Sequence, residues 1–174
     1  GSAVTHHLLP SRSVPEVTTE NGGTPVRTRV GHSFIKAKMA EHDAVFGGEH
    51  SGHFYFRDFW NADSGMLAAL HTLAALGHSD GTLSELLASY DRYVASGEIN
   101  STVDDQAGRV AAIKAAYAGK PQDELDGLTV DLGEGAWFNV RASNTEPLLR
   151  LNVEAADDAR MAAVREEVLA RIRA

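Results

Sequence analysis

The sequence predicts two small domains. The first is α/β, with a mixed, mostly parallel sheet flanked by helices, and the second is α+β, with an antiparallel sheet backed by two helices. Two observations lead to this prediction. Over residues 1–94, short β-type segments alternate with helical segments, as in parallel sheets covered by helices. Over residues 95–174, β-type segments follow one another between two helical segments, which is typical of an antiparallel sheet with one open face. The 174 residues are enough for two such domains.

The first half carries four predicted strands, each bounded by turn residues or a helical segment. The strands are 3–9, 24–30, 43–49 and 53–59, and the helical segments are 11–23, 32–42, 63–77 and 82–97. The loop between the third and fourth strands is too short for a parallel crossover, so this pair is predicted to be antiparallel.

Local signals mark several helix ends in the first half. Pro15 predicts an irregular first helix. Asp63 is predicted to cap the helix over 63–77, and Gly77 is predicted to end it. Thr82 and Glu85 have the spacing of a capping box at the start of 82–97.

The second half contains strands at 98–103, 128–132, 136–143 and 147–155, and helices at 104–119 and 157–174. The last strand alternates in polarity. Leu149, Leu151 and Val153 are therefore predicted to face the core, and the residues between them to face outward.

Composition restricts the function. A net charge of -8 argues against broad nucleic-acid binding, which needs a basic surface. No apolar run is long enough for a membrane span, and the first ten residues lack the features of a signal peptide. The chain has no cysteine, which fits a cytoplasmic protein. Gly1-Ser2 is typical of a cloning remnant and predicts a natural protein that extends further toward its N-terminus. The oligomeric state is left open.

The segment Arg141 to Pro147 has the composition of an anion-binding loop. Ser143, Asn144 and Thr145 offer hydroxyl, amide and backbone donors, and Arg141 offers a guanidinium fork suited to two phosphate oxygens. The same three residue types are ordinary turn residues. Turn chemistry by itself therefore favours a plain hairpin over a phosphate site.

A second candidate site is the glycine-bounded segment GGEHSGH. Glu49 and Ser51 can bind vicinal sugar hydroxyls, and His53 can move a proton near neutral pH. A polar hairpin with solvated histidines is the alternative. His50 and His53 have the spacing of a metal pair, but no third ligand is placed nearby in the sequence.

A third candidate site is the strand-to-helix junction Gly31-His32-Ser33, a position suited to an anion or a hydroxyl. Ser33 as a simple helix cap is the alternative, and without further context it is the favoured one.

Three segments in order resemble the α-D-phosphohexomutase family, in its phosphomannomutase/phosphoglucomutase branch. They are GGTPVRTRVGHSFIKAKM, GGEHSGHFYFRDFWNADSGMLAAL and VRASNTEPLLRLNVEA, and the resemblance covers nearly the whole chain. The Gly-Glu-x-Ser-Gly-His and Arg-x-Ser-Asn-Thr-Glu-Pro motifs at this separation are highly specific. The resemblance makes the phosphate reading of the loop the favoured one.

The resemblance implies that this chain is the C-terminal half of a mutase that interconverts hexose 1-phosphate and hexose 6-phosphate. Such enzymes have four domains, and the first two carry a phosphorylated serine and an aspartate-rich Mg²⁺ loop. Neither motif is found here, so no metal ligand is expected in this chain and the half is expected to be inactive alone. A glucose or mannose 1,6-bisphosphate is implied as intermediate or activator.

The two regions then correspond to the third and fourth mutase domains. Residues 1–94 would be the sugar-recognition domain without its first helix, and residues 95–174 the phosphate-clamping domain. The resemblance implies that Glu49, Ser51 and His32 contact the sugar and that His53 transfers a proton or contacts phosphate.

In the second region, Arg141, Ser143, Asn144 and Thr145 would bind the non-reacting phosphate of a hexose phosphate. One departure concerns the basic residue that family members often carry before the first helix of this region, because only Arg12 is available here. The phosphoglucosamine branch usually has glycine where this chain has Asn144, which favours the mannose/glucose branch.

A different class of function remains: a stand-alone, non-catalytic module that binds sugar phosphate or regulates another protein. Such a module would need the same binding residues but no phosphoserine and no metal loop. The presence or absence of those two motifs upstream in the gene distinguishes the two hypotheses.

Overall fold

A computed structural model describes residues 1–143 and 145–174, which divide into two compact units, Gly1–Arg92 and Tyr93–Ala174. Within the described residues, no helix is both long enough and apolar enough to cross a lipid bilayer.

The first unit is built on a five-stranded mixed sheet of order β2-β1-β3-β4-β5. The strands are β1 (Ala3–His7), β2 (Thr24–Thr28), β3 (Phe46–Gly48), β4 (Phe54–Phe56) and β5 (Ala62–Asp63). The helices are α1 (Ser13–Glu20), α2 (His32–Glu41), α3 (Gly65–Gly77) and α4 (Leu83–Ala88). Strand β1 is parallel to β2 and β3, whereas β3–β4 and β4–β5 are antiparallel. This confirms the predicted mixed sheet and the antiparallel third and fourth strands.

The parallel strands place three chain segments at one edge of this sheet. Because β1, β2 and β3 run in the same direction, their carboxyl ends lie together. The segments that follow them are 8–12, 29–33 and 49–53. Open α/β sheets bind ligands at this edge.

Helix α2 covers one face of the first sheet, and a small apolar core lies between the helix and the sheet. Ile35, Met39, Ala44 and Tyr55 are all buried there. Gly47 lies beneath the helix, and a Cβ atom at this position would come within 2.8 Å of Met39 Sδ. Glycine on β3 therefore permits the close approach of helix to strand.

Helix α3 is strongly apolar and yet exposed. Met66, Leu70 and Leu73 are 77 %, 55 % and 62 % exposed. An open groove of about 1000 Å³ lies between this helix and the aromatic side chains Phe46, Phe54 and Phe56.

The second unit is an antiparallel sheet backed by two helices, as predicted, and it has six strands where the sequence predicted four. The strands are β6 (Val94–Ala95), β7 (Ile99–Thr102), β8 (Gln122–Asp123), β9 (Leu128–Gly133), β10 (Ala136–Ala142) and β11 (Leu148–Ala155). The path is β6-β11-β10-β9-β8, and β7 also pairs with β11. The helices are α5 (Gln106–Ala116) and α6 (Asp158–Arg173).

The two faces of this sheet differ in chemistry. One face is apolar and packs on α5 and α6, with Phe138, Leu149 and Leu151 completely buried. On the other face Asn152 and Glu154 are only 8 % and 3 % exposed, although alternation alone predicted that they face outward into solvent.

Local details depart from three sequence predictions. Helix α1 is regular, because Pro15 occupies the first turn, where the missing N–H has no intrahelical partner to lose. Helix α4 begins with the predicted capping box of Thr82 and Glu85 but ends at Ala88. Ser64 caps α3, and Asp63 instead belongs to β5.

Candidate functional site

The first group of site residues lies on a tight turn between β3 and β4, at the carboxyl edge of the first sheet. The Gly52 N–H donates to Glu49 O at 3.0 Å, and the Glu49 N–H donates to His53 O at 2.9 Å. Gly52 has a φ of +86°, a conformation that favours glycine. The turn places Ser51 at its exposed tip.

Glu49 is buried at the base of this turn and is held by a tyrosine. The Tyr55 hydroxyl donates to Glu49 Oε1 at 2.5 Å, and the two residues are 0 % and 6 % exposed. Burial raises the pKa of Tyr55, and the hydrogen bond to Glu49 and the nearby negative charges raise it further. The phenol therefore stays protonated and donates, which fixes the orientation of the carboxylate.

His53 is held by an aspartate on the neighbouring strand. His53 Nδ1 lies 2.6 Å from Asp63 Oδ2, and the Phe54 N–H donates to Asp63 Oδ1 at 2.9 Å. An ionised carboxylate only accepts hydrogen bonds, so His53 donates from Nδ1 and its Nε2 carries the lone pair when the ring is neutral.

Partial burial raises the pKa of Asp63, but the hydrogen bonds from His53 and the Phe54 N–H outweigh this effect. The nearby His53 and His32 rings act in the same direction, and the net pKa of Asp63 is lowered. Asp63 therefore remains an anion at neutral pH.

His32 joins the same cluster from the first turn of α2. Its ring centroid lies 4.2 Å from that of His53 and 5.5 Å from that of Tyr55, both in edge-to-face geometry. Gly31, with a φ of +132°, begins the helix without a side-chain cap, and Ser33 lies inside the helix rather than at its cap.

Arg12 and His7 lie at the same edge of the sheet. Arg12 occupies the N-cap position of α1 and is half-buried. The buried ring of His7, at the end of β1, accepts from the His50 N–H through Nε2 at 2.6 Å. His7 therefore ties β1 to the turn that carries Glu49 and Ser51.

The second group of site residues lies in the second unit, where β10 leads into the loop before β11. Ser143 Oγ accepts from the N–H groups of Thr145 and Glu146 at 3.4 and 3.3 Å. Gln106 Nε2, from the start of α5, donates to the carbonyls of Glu146 and Leu148 and supports the loop. Asn144, the fourth predicted phosphate ligand, lies outside the described residues.

Arg141 lies at the base of this loop and is only 18 % exposed in its side chain. Its guanidinium is 3.8 Å from Asp126 and 3.8 Å from Glu98, distances too long for hydrogen bonds. Gly127 packs directly against the strand here, and a Cβ atom on it would lie 2.5 Å from Val140 O and 2.9 Å from Arg141 Cα.

A metal centre is not formed by the residues that the structure describes. Among residues 1–143 and 145–174, no three His, Asp or Glu side chains are grouped to hold a metal ion. His50 is exposed, and His53 pairs with Asp63.

Sequence reasoning did not identify three residues that hold these groups: Asp63, Tyr55 and His7. Asp63 has the residue type and spacing of a helix cap, and Tyr55 follows the alternation of an ordinary strand. The pairing of Tyr55 with Glu49 depends on the register of β3 with β4, and the pairing of Asp63 with His53 depends on the register of β4 with β5.

Comparison with known families gives one consistent result for both units. "Phosphoglucomutase/phosphomannomutase, alpha/beta/alpha domain III" matches residues 1–93. "Phosphoglucomutase/phosphomannomutase, C-terminal domain" matches residues 98–171.

Individual relatives agree with this. A phosphomannomutase of Methanocaldococcus jannaschii is 42 % identical over 95 % of this chain and 36 % of its own length. Phosphohexose mutases of Xanthomonas campestris are 42 % identical over 99 % of this chain and 39 % of their own length. The crystal structure of a Burkholderia thailandensis family protein, 28 % identical, superimposes with a TM-score of 0.84 over 99 % of this chain and 37 % of that protein. The chain thus spans little more than a third of these relatives.

Proposed function

Because this chain belongs to the phosphoglucomutase/phosphomannomutase family, we propose that it is the substrate-recognition half of a phosphohexomutase. The complete enzyme would interconvert hexose 1-phosphate and hexose 6-phosphate, with mannose, glucose or both as the sugar. The reaction would pass through a phosphoserine enzyme and a bisphosphorylated sugar. Residues 1–94 would recognise the sugar, and residues 95–174 would bind the phosphate that does not react.

The arrangement at the carboxyl edge of the first sheet is the observation that carries this proposal. Tyr55 occupies one oxygen of Glu49, which leaves the other to accept from sugar hydroxyls. Ser51 at the tip of the turn and Arg12 after β1 would add further polar contacts. A buried, oriented carboxylate suits neutral hydroxyl groups, since it accepts without rearrangement.

His53 would act as the proton-transfer group. Asp63 accepts the Nδ1 proton, so the lone pair on Nε2 can take a proton from a sugar hydroxyl that attacks phosphorus. His32, in edge contact with the His53 ring, would line the same site.

The loop at 143–147 would bind the phosphate group. Thr145 N–H and the Ser143 hydroxyl are donors of the kind that phosphate oxygens accept, and Arg141 supplies positive charge at the base. Asn144 remains a proposed ligand of the same group.

We assign no step to Mg²⁺ in this chain, because the described residues form no metal site. The phosphoserine and the ligands of the metal would belong to the part of the longer protein that this chain does not cover. The isolated half would bind substrate weakly and would not catalyse the reaction.

A crossed binding experiment tests the division of roles. Arg141→Ala is expected to weaken binding of both inorganic phosphate and glucose 1-phosphate by about 2–3 kcal/mol, because it removes a charged donor. Glu49→Ala is expected to weaken binding of glucose 1-phosphate and to leave inorganic phosphate unchanged.

NMR titration of the two variants and the parent chain measures these affinities. Unchanged phosphate affinity in Arg141→Ala would exclude the proposed phosphate-binding role of Arg141. An equal loss of affinity for both ligands in Glu49→Ala would exclude the proposed sugar-recognition role of Glu49.

A further inference from the structure

A buried asparagine lies next to Arg141 on the same face of the second sheet. Asn139 and Arg141 are two residues apart on β10, so their side chains project from the same face. Asn139 is 0 % exposed. A fully buried position on a strand usually carries an apolar residue, because an amide group that leaves water must be hydrogen-bonded. The amide of Asn139 therefore needs partners inside the protein.

The partners of this amide lie on the chain that leads into β9. Asn139 Nδ2 donates to the backbone carbonyl of Asp126 and to Thr129 Oγ1, each at 3.0 Å. Thr129 is directly opposite Asn139 in the register of β9 with β10, so this bond joins paired strands. Asp126 instead lies two residues before β9 begins. The bond to its carbonyl therefore holds the bend that precedes the strand.

The bend formed by Asp126 and Gly127 contacts Arg141 in two ways. The Asp126 carboxylate lies 3.8 Å from the Arg141 guanidinium, and the two side chains are only 15 % and 18 % exposed. Gly127 packs against the backbone of the same arginine, since a Cβ atom on it would lie 2.9 Å from Arg141 Cα. A charge pair that is mostly shielded from water interacts more strongly than one on the open surface. The bend thus sets both the backbone packing and the charge environment of Arg141.

The other polar atom of the Asn139 side chain shows that stability alone does not explain this residue. Asn139 Oδ1 is buried and has no hydrogen-bond partner within residues 1–143 and 145–174. A buried acceptor without a partner lowers stability. Leucine is similar in size and would not carry this cost. We therefore look for the role of Asn139 in the two bonds that its Nδ2 group donates.

We propose that Asn139 is a positioning residue of the phosphate site. Its amide anchors the bend at 126–127, and the bend holds the Arg141 guanidinium at the base of the loop over 143–147. The proposal rests on the phosphate-binding role assigned above to Arg141. Asn139 does not contact the ligand, because it is completely buried, and it acts only through the bend. A binding group must be held close to its productive geometry by the residues around it.

The same substitution at two opposed asparagines tests the proposal. Asn139→Leu removes both donated bonds and is expected to weaken binding of inorganic phosphate by about fivefold, the value of one hydrogen bond. Asn152→Leu is the matched control, because Asn152 is directly opposite Asn139 on β11 and is also buried. Its Nδ2 atom has no hydrogen-bond partner among the described residues, so leucine removes no donated bond there. NMR titration of the full 174-residue chain measures the dissociation constants.

A double-mutant cycle shows whether Asn139 acts through Arg141. In an Arg141→Ala background, Asn139→Leu is expected to have no further effect on phosphate affinity, because the arginine that it positions is absent. A purely structural role would give the same loss in both backgrounds. Urea unfolding is expected to show similar free energies of unfolding for Asn139→Leu and Asn152→Leu. If Asn139→Leu does not fold, Asn139→Ala replaces it in the same cycle.

A second readout needs no ligand. The Nε atom of Arg141 is buried and has no hydrogen-bond partner in the part of the chain that the structure describes. Its N–H group is therefore expected to exchange slowly with solvent in the parent chain. We expect faster exchange in Asn139→Leu, because the bend no longer holds the arginine, and parent-like exchange in Asn152→Leu.

The results separate this inference from the proposed function. If Arg141→Ala weakens phosphate binding and Asn139→Leu behaves like Asn152→Leu, the positioning role is excluded and the phosphate site stands. Equal losses from Asn139→Leu in both backgrounds would also overturn the inference. If the parent chain does not bind phosphate even at millimolar concentration, the proposed role of Arg141 fails and this inference fails with it.

Discussion

The two candidate sites are held together in different ways. In the first unit, side chains are fixed by short hydrogen bonds: Tyr55 to Glu49 at 2.5 Å and His53 to Asp63 at 2.6 Å. In the second unit, the contacts of Arg141 with carboxylates are 3.8 Å long, and its position depends on the backbone packing of Gly127.

The difference matches the ligands that we propose for the two sites. A neutral sugar hydroxyl gains little from charge alone, so its acceptor has to be oriented before binding. A phosphate dianion gains most from positive charge and from unsatisfied donors, so its site can be loosely paired in the free protein. The first site is therefore preorganised in its side chains, and the second in its backbone.

The largest expected effect concerns the backbone of the second site. Gly127→Ala places a methyl group within 2.5 Å of Val140 O. The alanine would also have to adopt the φ of +70° that Gly127 has, which is strained for a residue with a side chain. We expect this variant to lower the free energy of unfolding of the second unit by about 2–5 kcal/mol. Gly133→Ala is the control, because Gly133 also has a positive φ but has open space around its Cβ position.

Urea unfolding followed by Trp137 fluorescence measures both variants. The free energy of unfolding of the control is expected to fall by only about 1–2 kcal/mol, the cost of a positive φ for alanine. Equal losses in the two variants would show that the close packing against Arg141 contributes nothing.

A smaller effect is expected in the first unit from Tyr55→Phe. The variant removes the donor to a buried carboxylate, which costs about 1–3 kcal/mol of stability in that unit. Tyr90→Phe is the control, since Tyr90 is 48 % exposed. Amide hydrogen exchange at Ile35 and Met39 reports on this unit. Unchanged exchange in Tyr55→Phe would mean that the hydroxyl does not hold Glu49.

The smallest effect depends on pH and concerns Asp63→Asn. His53 Nδ1–H and the Phe54 N–H donate to different oxygens of Asp63, and asparagine replaces one of these oxygens with an NH₂ group that cannot accept. We expect a loss of under about 1 kcal/mol, because the pair is partly exposed.

The sign of the pH dependence follows from the lowered pKa of Asp63. A carboxyl group with a lowered folded pKa stabilises the protein above its unfolded pKa of about 4, and the contribution is lost as the pH falls through the folded value. The difference in the free energy of unfolding between the parent chain and Asp63→Asn should therefore reach its full size at pH 6 and disappear in acid. Asp80→Asn is the control. Hydrogen exchange across this pH range measures it, and a difference that grows in acid would contradict the assignment.

Much of the fold could be predicted from periodicity and turn chemistry. The succession of the main strands along the chain, the mixed and antiparallel sheets and the capping box at Thr82 and Glu85 all follow from local patterns, whereas the order of the strands within each sheet was not predicted. The short strands β5, β6 and β8 could not be predicted, because a strand of two residues has no periodicity.

The site residues were predictable as individual chemical groups but not as pairs. Motifs identify Glu49 and His53, yet the register between β3 and β4 brings Tyr55 to Glu49, and the register between β4 and β5 brings Asp63 to His53. The hydrogen bond of Asn139 to Thr129 likewise depends on the register of β9 with β10. Register between strands is a tertiary property, and a single sequence specifies it only weakly.

The central claim is that the first unit recognises a sugar and the second a phosphate. An NMR titration of this chain with glucose 1-phosphate, mannose 1-phosphate and inorganic phosphate tests it most directly. We predict shifts at Arg141, Ser143 and Thr145 with all three ligands, and shifts from Glu49 to His53 with the two sugar phosphates only. An absence of shifts in both segments at millimolar ligand, or identical shifts with all three ligands in both, would contradict the claim.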